Sequence, residues 1–270
     1  MDVSLGDVQK TLFLPLWGRA VETEKQHPLL VDKTAVSIVK KVNYDFSTVA
    51  SNMHEITRYA WVVRSLLIDR VVHAYLEQHP DATVVNIGCG LDTTFERVDN
   101  GRCRWIDLDL PDVIALRRKF IAPSDRRQFL ASSFLDSAWL AGMNDSRGMM
   151  FIAAGVFYYF EETAIKAFFR TLADTFRSCE VVCDLCSPFG VRAANKMVIH
   201  NSGLGEQSFL TWGIEKTADI ESWDPRISII RSYPYFRGMK RHLRPRYWHV
   251  AILSDLLRVQ YLVHFRIANS

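Results

Sequence analysis

The feature that most constrains the fold is an apolar run that leads directly into a Gly-x-Gly turn, over residues 84–90. Glycine at positions 88 and 90 permits a tight turn and lets the backbone approach a ligand that a side chain would exclude. Asp109 follows 19 residues after Gly90, at the end of the next apolar run. A carboxylate in that position can accept both hydroxyl protons of a ribose. Together these residues predict a strand and turn that bind a nucleoside.

The turn also bears on the identity of the cofactor. Thr93 stands where the dinucleotide-binding fingerprint has its third glycine. This favours a nucleoside cofactor without a pyrophosphate over NAD, and S-adenosylmethionine (SAM) is the common cofactor of that kind. A Gly-x-Gly turn alone is a weak signal, because many unrelated proteins contain one.

The rest of the hydrophobic pattern indicates an α/β protein. Helical periodicity covers the first 79 residues, and short apolar runs alternate with helical patterns after Pro80. Buried strands are predicted over residues 83–87, 104–108, 148–153 and 180–185, and helices over 55–79 and 161–177. This alternation predicts a mostly parallel sheet with helices on both faces. Further apolar runs at 227–230 and 260–267 predict antiparallel strands that complete the sheet.

Composition limits the class of protein. Of 270 residues, 49% are hydrophobic and 23% charged, so a full core can form without disulfides or metals. The five irregularly spaced cysteines predict a reducing, cytoplasmic location. Cys183 and Cys186 resemble half of a zinc or redox site, but no second pair accompanies them, so we predict core packing and no metal. The longest uncharged run, 148–160, has 13 residues, whereas a spanning helix needs about 20, so no membrane partner is predicted.

One segment is strongly basic. No acid lies between Asp224 and Asp255, and seven bases do: Arg226, Arg231, Arg237, Lys240, Arg241, Arg244 and Arg246. A solvated surface, a site for a small anion and a nucleic-acid site are all compatible with this run. Nucleic acid is disfavoured, because such proteins usually spread their basic residues over a whole face or helix.

Several motifs make the prediction more specific. They are Asn-Ile-Gly-Cys-Gly-Leu-Asp-Thr-Thr-Phe at 86–95, Asp-Leu-Asp-Leu-Pro-Asp-Val-Ile at 107–114, Thr-Leu-Phe-Leu-Pro-Leu-Trp-Gly-Arg-Ala at 11–20, Ala-Ser-Ser-Phe-Leu-Asp at 131–136 and Gly-Val-Phe-Tyr-Tyr-Phe-Glu-Glu at 155–162. This set closely resembles the leucine carboxyl methyltransferase family, and in particular its bacterial polyketide O-methyltransferases of the tetracenomycin type. The resemblance is strong over residues 1–190 and loose beyond them.

The resemblance implies a class I methyltransferase fold with SAM as the cofactor. It implies a helical cap over 1–79, a SAM-binding core over 80–190, and a substrate lid with the final strands over 191–270. Cofactor-binding residues carried over from the family are Arg64, Gly88, Gly90, Asp109, Ser133 and Phe134. In the family pattern Arg64 pairs with the methionyl carboxylate and Gly88 lines the methionine. Asp109 holds the ribose, while Ser133 and Phe134 border the adenine.

Two positions leave alternatives open. Arg64 lies among apolar residues and requires a partner, which is either the cofactor or a structural ion pair. Ala154 replaces a glutamate that the family usually carries against the amino end of the cofactor. That replacement admits a methyltransferase-fold protein that binds SAM or a metabolite and catalyses another reaction, or none.

We predict an O-methyltransferase that acts on a carboxylate or acidic hydroxyl of a small anionic molecule, such as a polyketide or other secondary metabolite. An ionised carboxylate is already a nucleophile, so it requires no catalytic base. A phenol would benefit from one, and the candidates are His242 and His249 in the basic region. Tyr159, just past a predicted strand, is a further candidate catalytic residue, because the resemblance implies that this position lies near the methyl donor. An RNA methyltransferase remains as an alternative that rests only on the basic segment. The oligomeric state is left open.

Overall fold

The computed structural model describes residues 10–202 and 204–269 of the chain. The first nine residues of the predicted cap, together with Gly203 and Ser270, lie outside the described part. Within it, no helix is long and apolar enough to cross a membrane.

The described part of residues 10–79 is mainly helical. It contains α1 (Phe13–Thr23), α2 (Lys33–Lys41), α3 (Ser47–Asn52) and the long α4 (Glu55–Gln78). Asp32 begins α2, since its carboxylate accepts a hydrogen bond from the Ala35 amide at 2.8 Å. Helix α4 confirms the long helix predicted from the sequence, and it ends two residues before Pro80. Helix α1 packs against both α2 and α4.

Seven strands form one mixed sheet. They are β1 (Thr83–Ile87), β2 (Arg104–Asp109), β3 (Arg127–Ala131), β4 (Met149–Ala153), β5 (Ser178–Leu185), β6 (Ile227–Pro234) and β7 (Tyr261–Ala268). Their order is β3-β2-β1-β4-β5-β7-β6. The first five are parallel, and β7 runs antiparallel to both β5 and β6. The predicted parallel sheet and its antiparallel completion are confirmed.

Strand β3 was not predicted, because it lacks an apolar run. It lies at the edge of the sheet and begins with Arg127 and Gln128. Arg127 is nevertheless buried, because its guanidinium donates to Asp107 at 2.7 Å and to Glu96 at 2.6 Å. The charge pairs that stabilise this strand therefore come from other elements.

Helices cover both faces of the sheet. The remaining helices are α5 (Thr94–Val98), α6 (Pro111–Arg117), α7 (Glu162–Thr175), α8 (Pro188–Ala194) and α9 (Trp248–Leu256). Along β4, Phe151 packs in the apolar cluster under α7, while Met150 and Ile152 pack in the cluster under α4. Successive side chains of a strand point to opposite faces, so a strand covered on both faces is apolar throughout. Cys183 and Cys186 are buried free thiols.

The connections between strands indicate where on the sheet a ligand would bind. The chain crosses from β1 to β2 on one side and from β3 to β4 on the other, so the strand order reverses between β1 and β4. In open α/β sheets, ligands bind in the crevice beyond the carboxyl ends of the strands at such a point. The Gly-x-Gly turn follows β1 at this edge.

Candidate functional site

A cavity opens beyond the carboxyl ends of β1, β2 and β4. All six cofactor-binding residues predicted from the sequence line it: Arg64, Gly88, Gly90, Asp109, Ser133 and Phe134. Tyr159 and Ala154 line it as well. The fold thus brings together residues that are spread over 96 positions of the chain, from Arg64 to Tyr159 counted inclusively.

The glycine turn has a backbone conformation that side chains disfavour. Gly88 and Gly90 have φ angles of +58° and +46°. A Cβ atom on Gly88 would lie 2.6 Å from the Cγ2 of Val156, closer than packed atoms allow. The residue type at this position is therefore fixed both by the backbone and by the neighbour across the cavity.

Asp109 is held in place by the turn itself. One carboxylate oxygen accepts the Gly90 amide at 2.7 Å, and the other accepts the Leu110 amide at 2.8 Å. Burial raises the pKa of Asp109 above its usual value, while these amides act in the opposite direction. Each oxygen retains a further lone pair, so an oriented carboxylate remains available to hydroxyl groups in the cavity.

Buried ion pairs fix the backbone around the turn. Arg117 donates to the Gly90 carbonyl at 2.8 Å and to Asp107 at 3.0 Å, with both side chains fully buried. Arg19 of α1 donates to Asp32 at 2.9 Å and to the Leu91 carbonyl at 3.2 Å. These contacts join the helical region to the turn, and the sequence analysis assigned a role to neither arginine.

Arg64 has the ion-pair partner that was one of its two predicted alternatives, and it also lines the cavity. It projects from α4, is 7% exposed, and lines the cavity. Its Nη1 donates to Asp184 at 3.0 Å and to the Tyr158 hydroxyl at 3.4 Å. Burial opposes the charge, but Asp184 raises the pKa of Arg64 above its usual value. The described residues engage only Nη1, so Nε and Nη2 can still bind a carboxylate.

Asp184, the partner of the cavity residue Arg64, was not predicted from the sequence. It is fully buried at the end of β5 and accepts the Gly155 amide at 2.6 Å. Ala153 pairs with Cys183 in the parallel register, so Asp184 lies beside Ala154. A carboxylate is thus present one strand away from the position where the family carries glutamate. A lone acid in an apolar strand is the signal that would have found it, because a buried charge requires a partner.

Another part of the cavity wall is mainly apolar and aromatic, although Thr57, Ser65 and Gln260 also line the cavity. Tyr159 and Phe160 follow β4, and further residues come from α4, from α8 with its π-helical continuation, and from the loop after it: Trp61, Ala194, Val198, Ile199 and Leu210. Burial raises the pKa of Tyr159 to about 12, so its hydroxyl stays protonated at neutral pH. This part of the wall offers a surface for apolar rings and no ionised group.

General bases are scarce in the cavity. No histidine, lysine or glutamate lines it within residues 10–202 and 204–269. Asp92 lines it, but the Asn86 side chain and the Thr94 amide donate to its carboxylate. Although burial opposes the charge of Asp92, Arg19 and Arg97 lower its pKa, so it is a poor proton acceptor.

The two predicted histidines do not reach the cavity. His242 lies in a short turn after β6, where its Nε2 accepts the Nε of Arg241 at 2.9 Å. His249 lies exposed on α9. Neither lines the cavity. The segment that carries them packs through Leu243 and Ala251 in the apolar cluster under α4.

The basic segment, for which a site for a small anion was one of three alternatives, is likewise absent from the cavity wall among the described residues. No side chain described between Arg226 and Arg246 lines the wall. Arg226 pairs with Asp224 at 2.7 Å and with Asp174 at 2.8 Å. Arg244 and Arg246 pair with Glu55. The segment lacks acids in its own sequence, but acids from other elements partly neutralise it.

The fold and the cavity define a class I methyltransferase. Residues 13–173 match the leucine carboxyl methyltransferase family. The chain belongs to that family. The sequence-based predictions of the family, of a SAM-dependent methyltransferase and of SAM as its cofactor are therefore confirmed.

Individual proteins similar to this chain agree with this assignment. The tetracenomycin polyketide synthesis O-methyltransferase TcmP of Streptomyces glaucescens is 28% identical over 225 residues, which cover 83% of this chain and 81% of that protein. A DUF574 family protein from Streptomyces avermitilis has a TM-score of 0.59 at 11% identity, covering 95% of this chain and 97% of that one. The plantazolicin methyltransferase BamL has a TM-score of 0.52 at 10% identity, covering 97% and 98%. The two structures indicate the fold alone.

Proposed function

We propose that this protein methylates an oxygen of a small, largely apolar molecule whose reacting group is already ionised, either a carboxylate or an acidic hydroxyl. The observation that carries the proposal is the composition of the cavity wall. Its glycine-turn side has anchors for a nucleoside and a carboxylate, whereas Tyr159, Phe160 and their neighbours offer apolar surface without a general base.

The residues on the glycine-turn side fit SAM. The turn at Gly88 and Gly90 lines the cavity with backbone alone, so the cofactor can approach it closely. Arg64 would bind the methionyl carboxylate with the donors that Asp184 leaves free. Asp109 would accept the ribose hydroxyls, while Ser133 and Phe134 would border the adenine. The bound cofactor supplies an electrophilic methyl group on a sulfonium.

We propose a charged acceptor because the apolar part of the cavity wall has no general base. An ionised oxygen attacks the methyl carbon without transferring a proton, so the chain's contribution is to hold the reactants in line. Such positioning contributes roughly 7–11 kcal/mol in favourable cases. Tyr159 would donate a hydrogen bond, because its raised pKa keeps the hydroxyl protonated. The arginines at the wall, Arg19 and Arg64, are paired with acids, so the acceptor's body would be bound by apolar contact.

The similarity to TcmP, a protein named for polyketide synthesis, supports a polyketide acceptor. Polyketides that are aromatic and carry carboxyl or acidic hydroxyl groups match the apolar wall and the absence of a base. Other aromatic secondary metabolites with the same groups would fit equally well. The proposal is therefore for a chemical class, with polyketides as its first members to test.

The test is an acceptor series of matched shape and graded acidity. Purified protein with SAM is given an aromatic carboxylate, an acidic phenol and an ordinary phenol, and the methylated products are quantified by mass spectrometry. We expect methyl transfer to the first two at neutral pH. Equal rates with the ordinary phenol would contradict the proposal, because that acceptor requires a base.

A second candidate function rests on Ala154, which lines the cavity where the family carries an acid. Without that acid the protein would bind SAM, or a metabolite in its place, and catalyse no methylation. Calorimetry combined with the product assay separates the two functions. Saturable SAM binding without product from any acidic acceptor would favour the second.

A further inference from the structure

Exposed apolar side chains are concentrated on one helix, α9. Of the twelve large apolar side chains exposed among the described residues, six lie between positions 248 and 257: Trp248, Val250, Ile252, Leu253, Leu256 and Leu257. We call these six residues the α9 surface. Leu256 is 75% exposed. The remaining six are distributed over the rest of the described chain.

The orientation of α9 is the reverse of what a surface helix normally shows. Ile252, Leu253 and Leu256 share the outward face, while Ala251 is the only residue of the helix that is buried. An amphipathic helix usually turns its apolar stripe toward the core. Contiguous exposed apolar side chains mark interaction sites, because water contact with them is unfavourable.

Four arginines flank α9 along the chain. Arg241, Arg244 and Arg246 precede the helix, Arg258 follows it, and all four are exposed. The acids nearby are Glu55, which pairs with Arg244 and Arg246, and Asp255, which accepts the Phe236 amide. Two of these four arginines therefore share one carboxylate, while Arg241 contacts His242 and Arg258 lies over the Tyr261 ring.

We propose that the α9 surface binds an anionic lipid bilayer, with its apolar side chains among the headgroups and its arginines against lipid phosphates. The strength of binding at a membrane interface depends on the apolar area buried and on electrostatic attraction to anionic lipids. Charge complementarity favours this occupant. A two-fold contact with a second copy would bring the same arginines together, whereas an anionic bilayer attracts them. Such binding is peripheral and requires no spanning helix.

The position of α9 connects this surface with the cavity. The start of α8 is hydrogen-bonded to the end of α9, since the Ser187 hydroxyl donates to the Leu257 carbonyl at 2.8 Å. Two further exposed apolar residues, Phe189 and Met197, lie on α8 and its π-helical continuation. The next residues of that continuation, Val198 and Ile199, line the cavity. Docking through α9 would bring the cavity wall close to the bilayer.

The experiment measures co-sedimentation of the full chain with vesicles of phosphatidylcholine alone or mixed with phosphatidylglycerol. We expect binding to the mixed vesicles, weak binding to the neutral ones, and release as salt concentration rises. Ile252→Glu should weaken binding at least ten-fold. The matched control is Val31→Glu, which replaces an apolar residue of equal exposure elsewhere (52% against 51%) and should bind as the parent does.

A second variant tests the charges independently of the helix. Arg241→Ala should weaken binding to the mixed vesicles about five-fold, the fold-change that corresponds to the usual contribution of one basic residue at an anionic surface. Thermal unfolding of each variant checks that it is folded. If a variant does not fold, the binding of the parent to the two vesicle types still tests the proposal.

Three results would overturn the proposal. One is failure of the parent to bind the mixed vesicles in preference to the neutral ones. Another is equal binding by the Ile252→Glu and Val31→Glu variants. The third is a parent dimer that Ile252→Glu converts to a monomer, which would make the α9 surface an interface between copies of the chain.

Discussion

The buried arginines around the glycine turn and the cavity carry the same charge as the exposed arginines of the basic segment, but in opposite surroundings. Arg64 and Arg117 are buried, and each is held by a carboxylate that is buried as well. Arg244 and Arg246 are exposed and share Glu55 at 3.5 and 3.3 Å. Removing one partner of a buried ion pair leaves the other charge buried with neither a partner nor water, which is strongly destabilising. An exposed ion pair contributes only about 0–1 kcal/mol to stability. Folding and cofactor binding should depend on the buried arginines and hardly on the exposed ones.

The largest expected effect is at Asp184. Asp184→Ala should lower the free energy of unfolding by about 3–5 kcal/mol, because the charge of Arg64 then remains in the interior without its carboxylate. Urea unfolding followed by circular dichroism measures the change. Asp184→Asn is the control, since its amide oxygen can still accept the Gly155 amide, and it should be less destabilising. A loss below about 1 kcal/mol in the alanine variant would show that burial does not distinguish the two groups of arginines.

Arg64→Lys tests whether SAM binding requires the guanidinium group or only a positive charge. Lysine retains the positive charge but cannot hold a carboxylate with two parallel hydrogen bonds. SAM affinity should fall about ten- to a hundred-fold, the equivalent of one charge-assisted hydrogen bond, while adenosine, which has no carboxylate, should bind as before. Calorimetry with both ligands measures this. Equal losses for the two would mean that Arg64 acts only through the structure.

Ala154→Glu restores the acid of the family beside Asp184. We expect SAM to bind about ten-fold more tightly, because the new carboxylate can accept a hydrogen bond from the ammonium of the cofactor. Ala154→Gln supplies a similar shape without the charge and should give a smaller gain. Unchanged SAM affinity would show that the geometry no longer suits an acid here. Tighter SAM binding with loss of methyl transfer would show that the acceptor occupies this space.

The smallest effect is expected at the exposed arginines. Arg244→Gln should change the free energy of unfolding by less than about 0.5 kcal/mol, because water replaces its contact with Glu55. SAM affinity and acceptor kinetics in the absence of lipid should match those of the parent, even at low ionic strength. A raised KM for an anionic acceptor would instead indicate that the basic segment contributes to acceptor binding.

The elements that could be predicted are those whose signal is local. The apolar runs of β1, β2, β4 and β5 identify buried strands because both faces of each strand are covered. Strand β3 could not be found in this way, since Arg127 is buried only through its contacts with Asp107 and Glu96. The sequence also could not show whether His242 and His249 reach the cavity. Residues that are close to a basic segment along the chain need not be close to the cavity in the fold.

By itself the sequence determined the glycine turn, the acid after β2 and the alternation of strands and helices. Backbone freedom at Gly88 and the periodicity of apolar residues are properties of neighbouring positions, so they can be recognised without the fold. Only the tertiary structure decided that Arg64 meets Asp184 across 120 positions, and that Glu55 faces Arg244 and Arg246. Ion pairs of this kind depend on which elements pack together, because electrostatic attraction acts between groups that are close in space, however far apart they lie in the sequence.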